Sequence, residues 1–146
     1  VLLVLLMERD LPALDLTRLL KLCVIHDLGE AISGDIPAIH QTPGSSKAAE
    51  ERADFLSLIA PLPDDLRTDF LGLWDEYEAA ETVEAQVAKG LDKIETMAQH
   101  VSGHQVPDFD YLWNLGYGRA RTDALPILRA LRDKVDALTR AADQAR

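Results

Sequence analysis

The chain has 146 residues and a net charge of −10; 47% of its residues are hydrophobic, 27% charged and 5% aromatic. That length suffices for one domain with a single core, and the lone cysteine excludes an intramolecular disulfide and indicates a reducing compartment, the cytoplasm. Proteins that bind nucleic-acid polymers or membrane surfaces need clustered Lys and Arg, so the acidic balance and the lack of any basic block argue against such partners.

The chain opens on an apolar segment, VLLVLLM, which is followed by Glu8 and Arg9. Seven apolar residues are too few for a membrane span, which needs about 20. They are typical of a fully buried helix from Val1 to about Arg9. Because this helix starts without a capping residue, we expect it to begin upstream of Val1.

The rest of the chain is predicted to form amphipathic helices separated by turns, since apolar residues recur at a spacing of 3.6. One predicted helix starts at Asp15 or Thr17 and ends near Gly29 or shortly after Ile32. The next starts at Ser45 or Ser46 and covers KAAEERADFLSLIA, and another starts at Asp64-Asp65. The last two run from Thr82 to about His100 and, within the C-terminal segment 119–146, from about Thr122 to Ala142. Residues 102–118 are predicted to form an irregular connection with a short aromatic segment. No strand alternation of useful length occurs, so we predict an all-α fold, a single compact helical bundle over residues 1–146.

Four groups that can titrate or bind metal lie in the otherwise apolar or small stretch VIHDLGEAISGDI, residues 24–36. Residues four apart on an α-helix share a face, so we expect His26 and Glu30 to address the same volume, with Asp27 about 100° further round. Asp35 follows on a turn that can fold back over the helix end. One imidazole with several carboxylates fits a divalent cation of hard-to-borderline preference.

A cation site needs more than these ligands, and the best distant carboxylate is Asp92 in KGLDKIE, residues 89–95. Asp92 lies between Leu91 and Ile94 in the apolar pattern of a long helix. Taken alone, an Asp at position 92 is expected to be a solvated side chain. It becomes a candidate because it could complete the site that begins at His26.

These residues resemble a known family, the HD-domain metal-dependent phosphohydrolases, whose ligands are a His, a His-Asp pair and a later Asp. The similarity is closest to the 5′-deoxynucleotidase branch. Three stretches follow the order and spacing of that branch: HDLGEAISGDIP, DLRTDFLGLWDEYE (residues 65–78) and ETVEAQVAKGLDKIE (residues 81–95). The resemblance covers roughly residues 1–100 and implies an HD-type helical bundle.

The resemblance implies a role for each residue of the predicted site. His26, Asp27 and Asp92 would bind the divalent metal. Glu30 would be the catalytic carboxylate, and Asp35 would act beside it at the substrate.

The resemblance also implies residues that the sequence does not contain. The family's first metal-binding His would lie about two turns before Val1, and its phosphate-contacting Arg belongs to the same region. Two-metal HD enzymes recruit extra histidines between the HD pair and the last Asp, and His40 is the only histidine in that interval. We therefore predict one metal ion, with Mn, Co, Fe, Mg and Zn all open.

The implied activity is that of a metal-dependent phosphomonoesterase, which removes the 5′-phosphate from (deoxy)ribonucleoside monophosphates. A phosphate also needs a cationic partner, and Lys47, at the start of a predicted helix, is the candidate substrate contact beside Asp35. Two alternatives stay open: hydrolysis of another nucleotide, such as a guanosine polyphosphate or a nucleoside triphosphate, and nucleotide binding without turnover. A homodimer is usual in the resembled branch and is expected here.

Overall fold

The computed structural model describes residues 1–11, 13–35, 47–103 and 109–145, and in those ranges all regular structure is helical. The α-helices are α1 (Leu2–Leu6), α2 (Leu16–Ile25), α3 (Lys47–Ile59), α4 (Asp64–Ala79), α5 (Val83–Ser102), α6 (Trp113–Gly116), α7 (Arg119–Thr122) and α8 (Pro126–Gln144). Two 3₁₀ helices, Glu8–Asp10 and His26–Glu30, follow α1 and α2. The predicted all-α fold is confirmed. Ser45 and Ser46, the predicted caps of α3, lie outside the described residues.

Helix α5 is the centre of the bundle. It begins after Thr82, whose hydroxyl accepts a hydrogen bond from the backbone N–H of Ala85 at 3.2 Å, as expected for a capping threonine. It contacts α1, α2, α4, α7 and α8. Its apolar face is buried along the whole length, through Ala85, Val87, Ala88, Leu91, Ile94 and Met97. Because Asp92 lies between buried residues of this helix, it is brought close to α2.

Helices α2, α3 and α4 pack around the 3₁₀ helix His26–Glu30 that follows α2. Asp15 caps α2 by accepting a hydrogen bond from the backbone N–H of Arg18 at 2.9 Å. Trp74 of α4 is buried and stacks on Phe55 of α3 with ring centroids 4.5 Å apart. This aromatic pair forms the wall against which the segment after α2 packs.

The first helix differs from the prediction. It has five residues, and only Val4 is buried, whereas Leu2 and Leu6 are 69% and 70% exposed. The expectation of a fully buried helix from Val1 to Arg9 is therefore wrong for the structure described. A helix of about one and a half turns packs a single side against α5, and its other apolar side chains face outward. Within the described ranges, no helix is both long enough and apolar enough to cross a lipid bilayer.

The last helix begins later than predicted, at Pro126 instead of Thr122. Proline suits the first turn of a helix because the missing N–H has no partner there. Thr122 instead ends α7. The connection predicted to be irregular, residues 102–118, contains the short helix α6, and α7 directly follows it. Arg132 of α8 is fully buried and donates to the carbonyls of Asn114 and Tyr117, at 2.7 and 2.6 Å, so α8 fixes this connection.

Candidate metal and substrate site

The segment that carries the HD pair is not a continuous α-helix. Helix α2 ends at Ile25, and residues His26–Glu30 form a 3₁₀ helix. A 3₁₀ helix has three residues per turn, so residues four apart lie about 120° from each other. The expectation that His26 and Glu30 share one face is therefore wrong.

Gly29 explains this local geometry. A Cβ atom on Gly29 would lie 2.2 Å from Cη2 of Trp74 and 2.9 Å from the carbonyl oxygen of Glu51. Only glycine permits so close an approach of the 3₁₀ helix to α3 and α4. The packing sends the two ends of the 3₁₀ helix to different neighbours, with His26 facing α5 and Glu30 facing α3.

The first group of charged side chains, the imidazole cluster, consists of His26, Asp27 and Asp92. Nε2 of His26 lies 3.0 Å from Oδ1 of Asp27 and 3.7 Å from Oδ1 of Asp92. Nδ1 lies 3.0 Å from the carbonyl oxygen of Cys23. Because a carbonyl can only accept, Nδ1 carries the hydrogen, and Nε2 of the neutral ring keeps a lone pair. The ring of Tyr77 packs against the imidazole, with the two ring centroids 4.9 Å apart.

The charges of this cluster shift the pKa values of two members in opposite directions. Burial lowers the pKa of His26, but attraction to the carboxylates of Asp92 and Asp27 outweighs it, so the pKa is raised. Burial raises the pKa of Asp92, but the partners His26 and Lys93 lower it to about 2. Asp92 is thus ionised at neutral pH. A lone pair and two carboxylate oxygens that face one another require a proton or a cation between them.

The donor set of the imidazole cluster is suited to a divalent metal. Imidazole nitrogen and carboxylate oxygen are ligands that zinc and other first-row divalent ions accept. The Nδ1 hydrogen bond of His26 to a backbone carbonyl is the usual orienting contact of a metal-binding histidine. In the described ranges no group of three or more His, Cys, Asp or Glu side chains has the geometry of a complete metal site. The three residues by themselves therefore do not make a complete metal site; His40 lies outside the described residues.

The second group, the lysine cluster, consists of Glu30, Asp35, Lys47 and Glu51. Nζ of Lys47 lies 3.2 Å from Oε1 of Glu30, 3.3 Å from Oδ1 of Asp35 and 2.9 Å from Oε1 of Glu51. The ammonium donates hydrogen bonds to Glu30 and Asp35, whereas its contact with Glu51 is an ion pair without hydrogen-bond geometry. Burial lowers the pKa of Lys47, but these carboxylates raise it further than burial lowers it. Burial raises the pKa of Glu30, and the hydrogen bond from Lys47 offsets part of that rise.

A tight turn places Asp35 in the lysine cluster. Gly34 has a φ of +83°, a left-handed conformation that favours glycine, and its N–H donates to the carbonyl of Glu30 at 2.8 Å. The backbone N–H of Ser33 donates to Oδ2 of Asp54 at 3.1 Å, which ties the turn to α3. The predicted turn after the HD segment therefore folds back to the end of the 3₁₀ helix.

The predicted site residues thus fall into two groups. A cavity of about 550 Å³ opens beside the imidazole cluster. It is lined by Val1, Leu2, Leu3, Cys23, His26, Asp27, Ala88, Leu91, Asp92, Glu95, Ala98, Gln99 and Ser102. Glu30, Asp35 and Lys47 do not line this cavity. In the described part of the chain no hydrogen bond or ion pair joins the two clusters, and the rise of an ideal 3₁₀ helix separates the backbones of His26 and Glu30 by about 8 Å.

Two members of the site were missed at the level of sequence. Glu51 follows Lys47 by four residues, and that spacing on a helix is a detectable signal for an ion pair. Nζ of Lys93 lies 2.9 Å from Oδ2 of Asp92. Adjacent residues on a helix point about 100° apart, so the spacing gave no signal for this second pair.

Comparison with known proteins finds one family model and several curated relatives. The sequence model of a family described as HD domain matches residues 1–130. Among curated proteins, the 5′-deoxynucleotidase HDDC2 of Xenopus laevis is 38% identical over 82 residues, covering 56% of this chain and 41% of that protein. The 5′-deoxynucleotidase HDDC2 of Homo sapiens is 35% identical over 82 residues, covering 56% and 40%. The 5′-deoxynucleotidase hdd1 of Schizosaccharomyces pombe is 35% identical over 92 residues, covering 60% and 46%.

The matched part thus spans less than half the length of these curated relatives. No solved structure gives a significant match. The family match covers most of the chain and includes both clusters. The chain belongs to the HD domain family.

Proposed function

We propose that the protein is a metal-dependent phosphohydrolase that removes the 5′-phosphate from deoxyribonucleoside monophosphates. The observation that carries the proposal is the convergence of the carboxylates of Asp27 and Asp92 on Nε2 of His26, beside a cavity of about 550 Å³. Cavities of that size bind small molecules such as nucleotides. Membership of the HD domain family and similarity to proteins named 5′-deoxynucleotidase support it.

In this proposal His26, Asp27 and Asp92 hold one divalent cation, with His26 binding through Nε2. Such a cation, whether Mn, Co, Fe, Mg or Zn, supplies positive charge for phosphoryl oxygens and makes water more acidic. The hydrogen bond from Nδ1 to the carbonyl of Cys23 keeps the lone pair of Nε2 directed at the site. Tyr77 packs against the ring and restricts its rotation.

The lysine cluster supplies the remaining groups. Glu30 exchanges a proton with water or with the leaving nucleoside oxygen, a role that its raised pKa favours. Asp35, whose side chain is 60% exposed, accepts a hydrogen bond from a sugar hydroxyl. Lys47 contacts the substrate from within the same cluster while it holds Glu30 in place. A nucleotide would bridge the two clusters, with its phosphate at the imidazole cluster.

In the same proposal, residues 1–146 form one HD domain, and the protein is a homodimer in the cytoplasm. The first metal-binding His and the phosphate-contacting Arg that the family resemblance implies upstream of Val1 stay predictions.

The test is a nucleotide panel assayed with metal-free protein, with and without Mn²⁺ or Co²⁺. We expect orthophosphate from deoxyribonucleoside monophosphates, with activity removed by EDTA and restored by the metal. Because a general acid or base contributes about 10²–10⁴-fold, Glu30→Gln should lower kcat by that factor. The matched control is Glu81→Gln, an exposed carboxylate between α4 and α5, which should leave kcat unchanged.

Two results would contradict the proposal. Activity that survives both EDTA and Glu30→Gln would remove the metal and the catalytic carboxylate together. Release of pyrophosphate from triphosphates or guanosine polyphosphates, with no orthophosphate from monophosphates, would assign the protein to another nucleotide.

A further inference from the structure

We propose that Lys93 is a positioning residue of the metal site, which holds the carboxylate of Asp92 so that one oxygen faces His26. The inference rests on the proposed function only in taking Asp92 as a metal ligand. It adds a residue that neither the motif nor the family resemblance assigned. It also gives the C-terminal helix a part in building the site.

The two oxygens of Asp92 have different neighbours. Oδ2 lies 2.9 Å from Nζ of Lys93, and Oδ1 lies 3.7 Å from Nε2 of His26. A carboxylate that is bound through one oxygen loses the freedom to rotate about its Cβ–Cγ bond. Since the side chain of Asp92 is only 24% exposed, water cannot easily replace the lysine as partner. The ammonium of Lys93 therefore directs Oδ1 at the imidazole.

Lys93 is itself confined by the connection between α6 and α7. Gly118 has a φ of +65°, and a Cβ atom on it would lie 2.9 Å from Cβ of Lys93 and 3.1 Å from its Cγ. Nζ of Lys93 lies 5.7 Å from the centre of the Tyr117 ring. The stem of the lysine thus packs beneath Gly118 and its ammonium lies between Tyr117 and Asp92, which explains how a neighbour in sequence reaches back to that carboxylate.

The connection is fixed in turn by Arg132 of α8, which is fully buried. Its guanidinium donates to the carbonyl oxygens of Tyr117, Asn114 and Leu115 at 2.6, 2.7 and 3.0 Å. Arg132 lies beyond residue 130, where the family match ends. A contiguous set of contacts therefore runs from α8 through Tyr117 and Lys93 to Asp92.

A second lysine on α5 supplies a matched control. Nζ of Lys89 lies 2.9 Å from Oε1 of Glu78 and 4.5 Å from the centre of the Tyr77 ring. Lys89 thus has the same combination of a carboxylate and a tyrosine ring as Lys93. It does not contact Asp92, so its removal tests the loss of a lysine from α5 without the loss of the positioning contact.

The experiment is a titration of the metal-free full chain with Mn²⁺, followed by the electron paramagnetic resonance signal of free Mn²⁺. Partners that orient a metal ligand typically change affinity by about 10–100-fold, so Lys93→Met should raise the Kd for Mn²⁺ by that factor. Lys93→Arg keeps the charge and should recover most of the affinity. Lys89→Met should change the Kd by much less than Lys93→Met does, because Lys89 reaches the site only through the Tyr77 ring that packs on His26. Asp92→Asn should bind more weakly than Lys93→Met. Lys93→Gln provides a second neutral variant.

The outcomes separate the inference from the proposed function. If Asp92→Asn loses Mn²⁺ but Lys93→Met and Lys93→Gln bind it as the wild type does, the inference is overturned and the metal site stands. If Asp92→Asn binds Mn²⁺ as the wild type does, Asp92 is not a ligand and both proposals fail. If Lys93→Arg loses as much affinity as Lys93→Met and both melt at a lower Tm without metal, Lys93 has only a structural role and the inference is also overturned.

Discussion

The two charged clusters at the ends of the 3₁₀ helix His26–Glu30 differ in how far they are completed by the protein itself. In the lysine cluster, the ammonium of Lys47 lies within 3.3 Å of three carboxylates and donates hydrogen bonds to two of them, so a protein cation balances the carboxylate charge. In the imidazole cluster, the Nε2 lone pair of His26 faces carboxylate oxygens of Asp27 and Asp92. Among the described residues, no protein donor lies between these three atoms in the neutral form of the ring.

The difference indicates which cluster requires a ligand. A completed cluster can hold its geometry in the free protein, whereas acceptors that face acceptors repel one another until a proton or a metal ion lies between them. The lysine cluster is also local, since it joins residues 30–51. The imidazole cluster depends on Asp92 from the central helix and so on the packing of the whole bundle. Three changes in the chain would sharpen this contrast.

The largest effect is expected from Gly29→Ala, because the close packing of Gly29 positions the 3₁₀ helix that carries residues of both clusters. The added methyl group would meet Trp74 at 2.2 Å and the Glu51 carbonyl at 2.9 Å, and neither the buried ring nor the backbone can move freely. Overpacking of this kind costs about 3 kcal/mol in the free energy of unfolding. Urea unfolding of the metal-free protein measures it. Metal binding should also weaken, since His26 would shift.

Gly72→Ala is the control for this substitution. Gly72 lies inside α4 and a Cβ atom there would meet nothing within 4 Å. Alanine is the better helix former, so the change should raise the free energy of unfolding by about 0.5–1 kcal/mol. Equal stability of the Gly29→Ala and Gly72→Ala proteins would show that the 3₁₀ helix is not constrained by Trp74.

A smaller effect is expected within the imidazole cluster, from Asp92→Asn compared with Asp27→Asn in the presence of EDTA. Asp92 is partly buried and paired with Lys93, so loss of its charge should lower the free energy of unfolding by about 1–3 kcal/mol. Asp27 is 72% exposed, so its substitution should change the same quantity by less than about 0.5 kcal/mol. Urea unfolding at pH 7 compares the two. A loss of stability that is equal in both variants would contradict the unequal burial of the carboxylates.

Long elements with a regular apolar pattern could be predicted from the sequence because their signals are local. The pattern from Val83 to Met97 and the capping hydroxyl of Thr82 define α5 within one stretch of chain. The 3₁₀ helix could not be predicted in this way, since it depends on contact between Gly29 and Trp74, which are far apart in sequence. The exposure of α1 was missed for a similar reason: apolar composition does not indicate how much of a short helix finds a neighbour.

The candidate site shows the same limit. The motif predicted site residues at positions 26, 27, 30 and 35, and Asp92 was predicted as the distant carboxylate of the same site. How these residues divide into two clusters depends on which helix each end of the 3₁₀ helix meets. The pairing of Lys93 with Asp92 depends further on the packing of Gly118 against the lysine stem. Such contacts arise from the tertiary structure and leave no period or spacing in the sequence.

The smallest effect is expected from Lys47→Met, and it should depend on pH. Burial raises the pKa of Glu30, and loss of the Lys47 hydrogen bond and charge should raise it further. A carboxyl group whose pKa is higher in the folded chain than its usual value of 4.5 binds protons more tightly when folded, so the free energy of unfolding falls as the pH rises above 4.5. The stability deficit of Lys47→Met should therefore be small at pH 5 and reach about 1 kcal/mol at pH 8. Urea unfolding at both pH values measures the deficit, with the exposed Lys134→Met as the pH-independent control. A deficit that is larger at pH 5 would mean that the lysine cluster is not held by ionised carboxylates, and the contrast with the imidazole cluster would disappear.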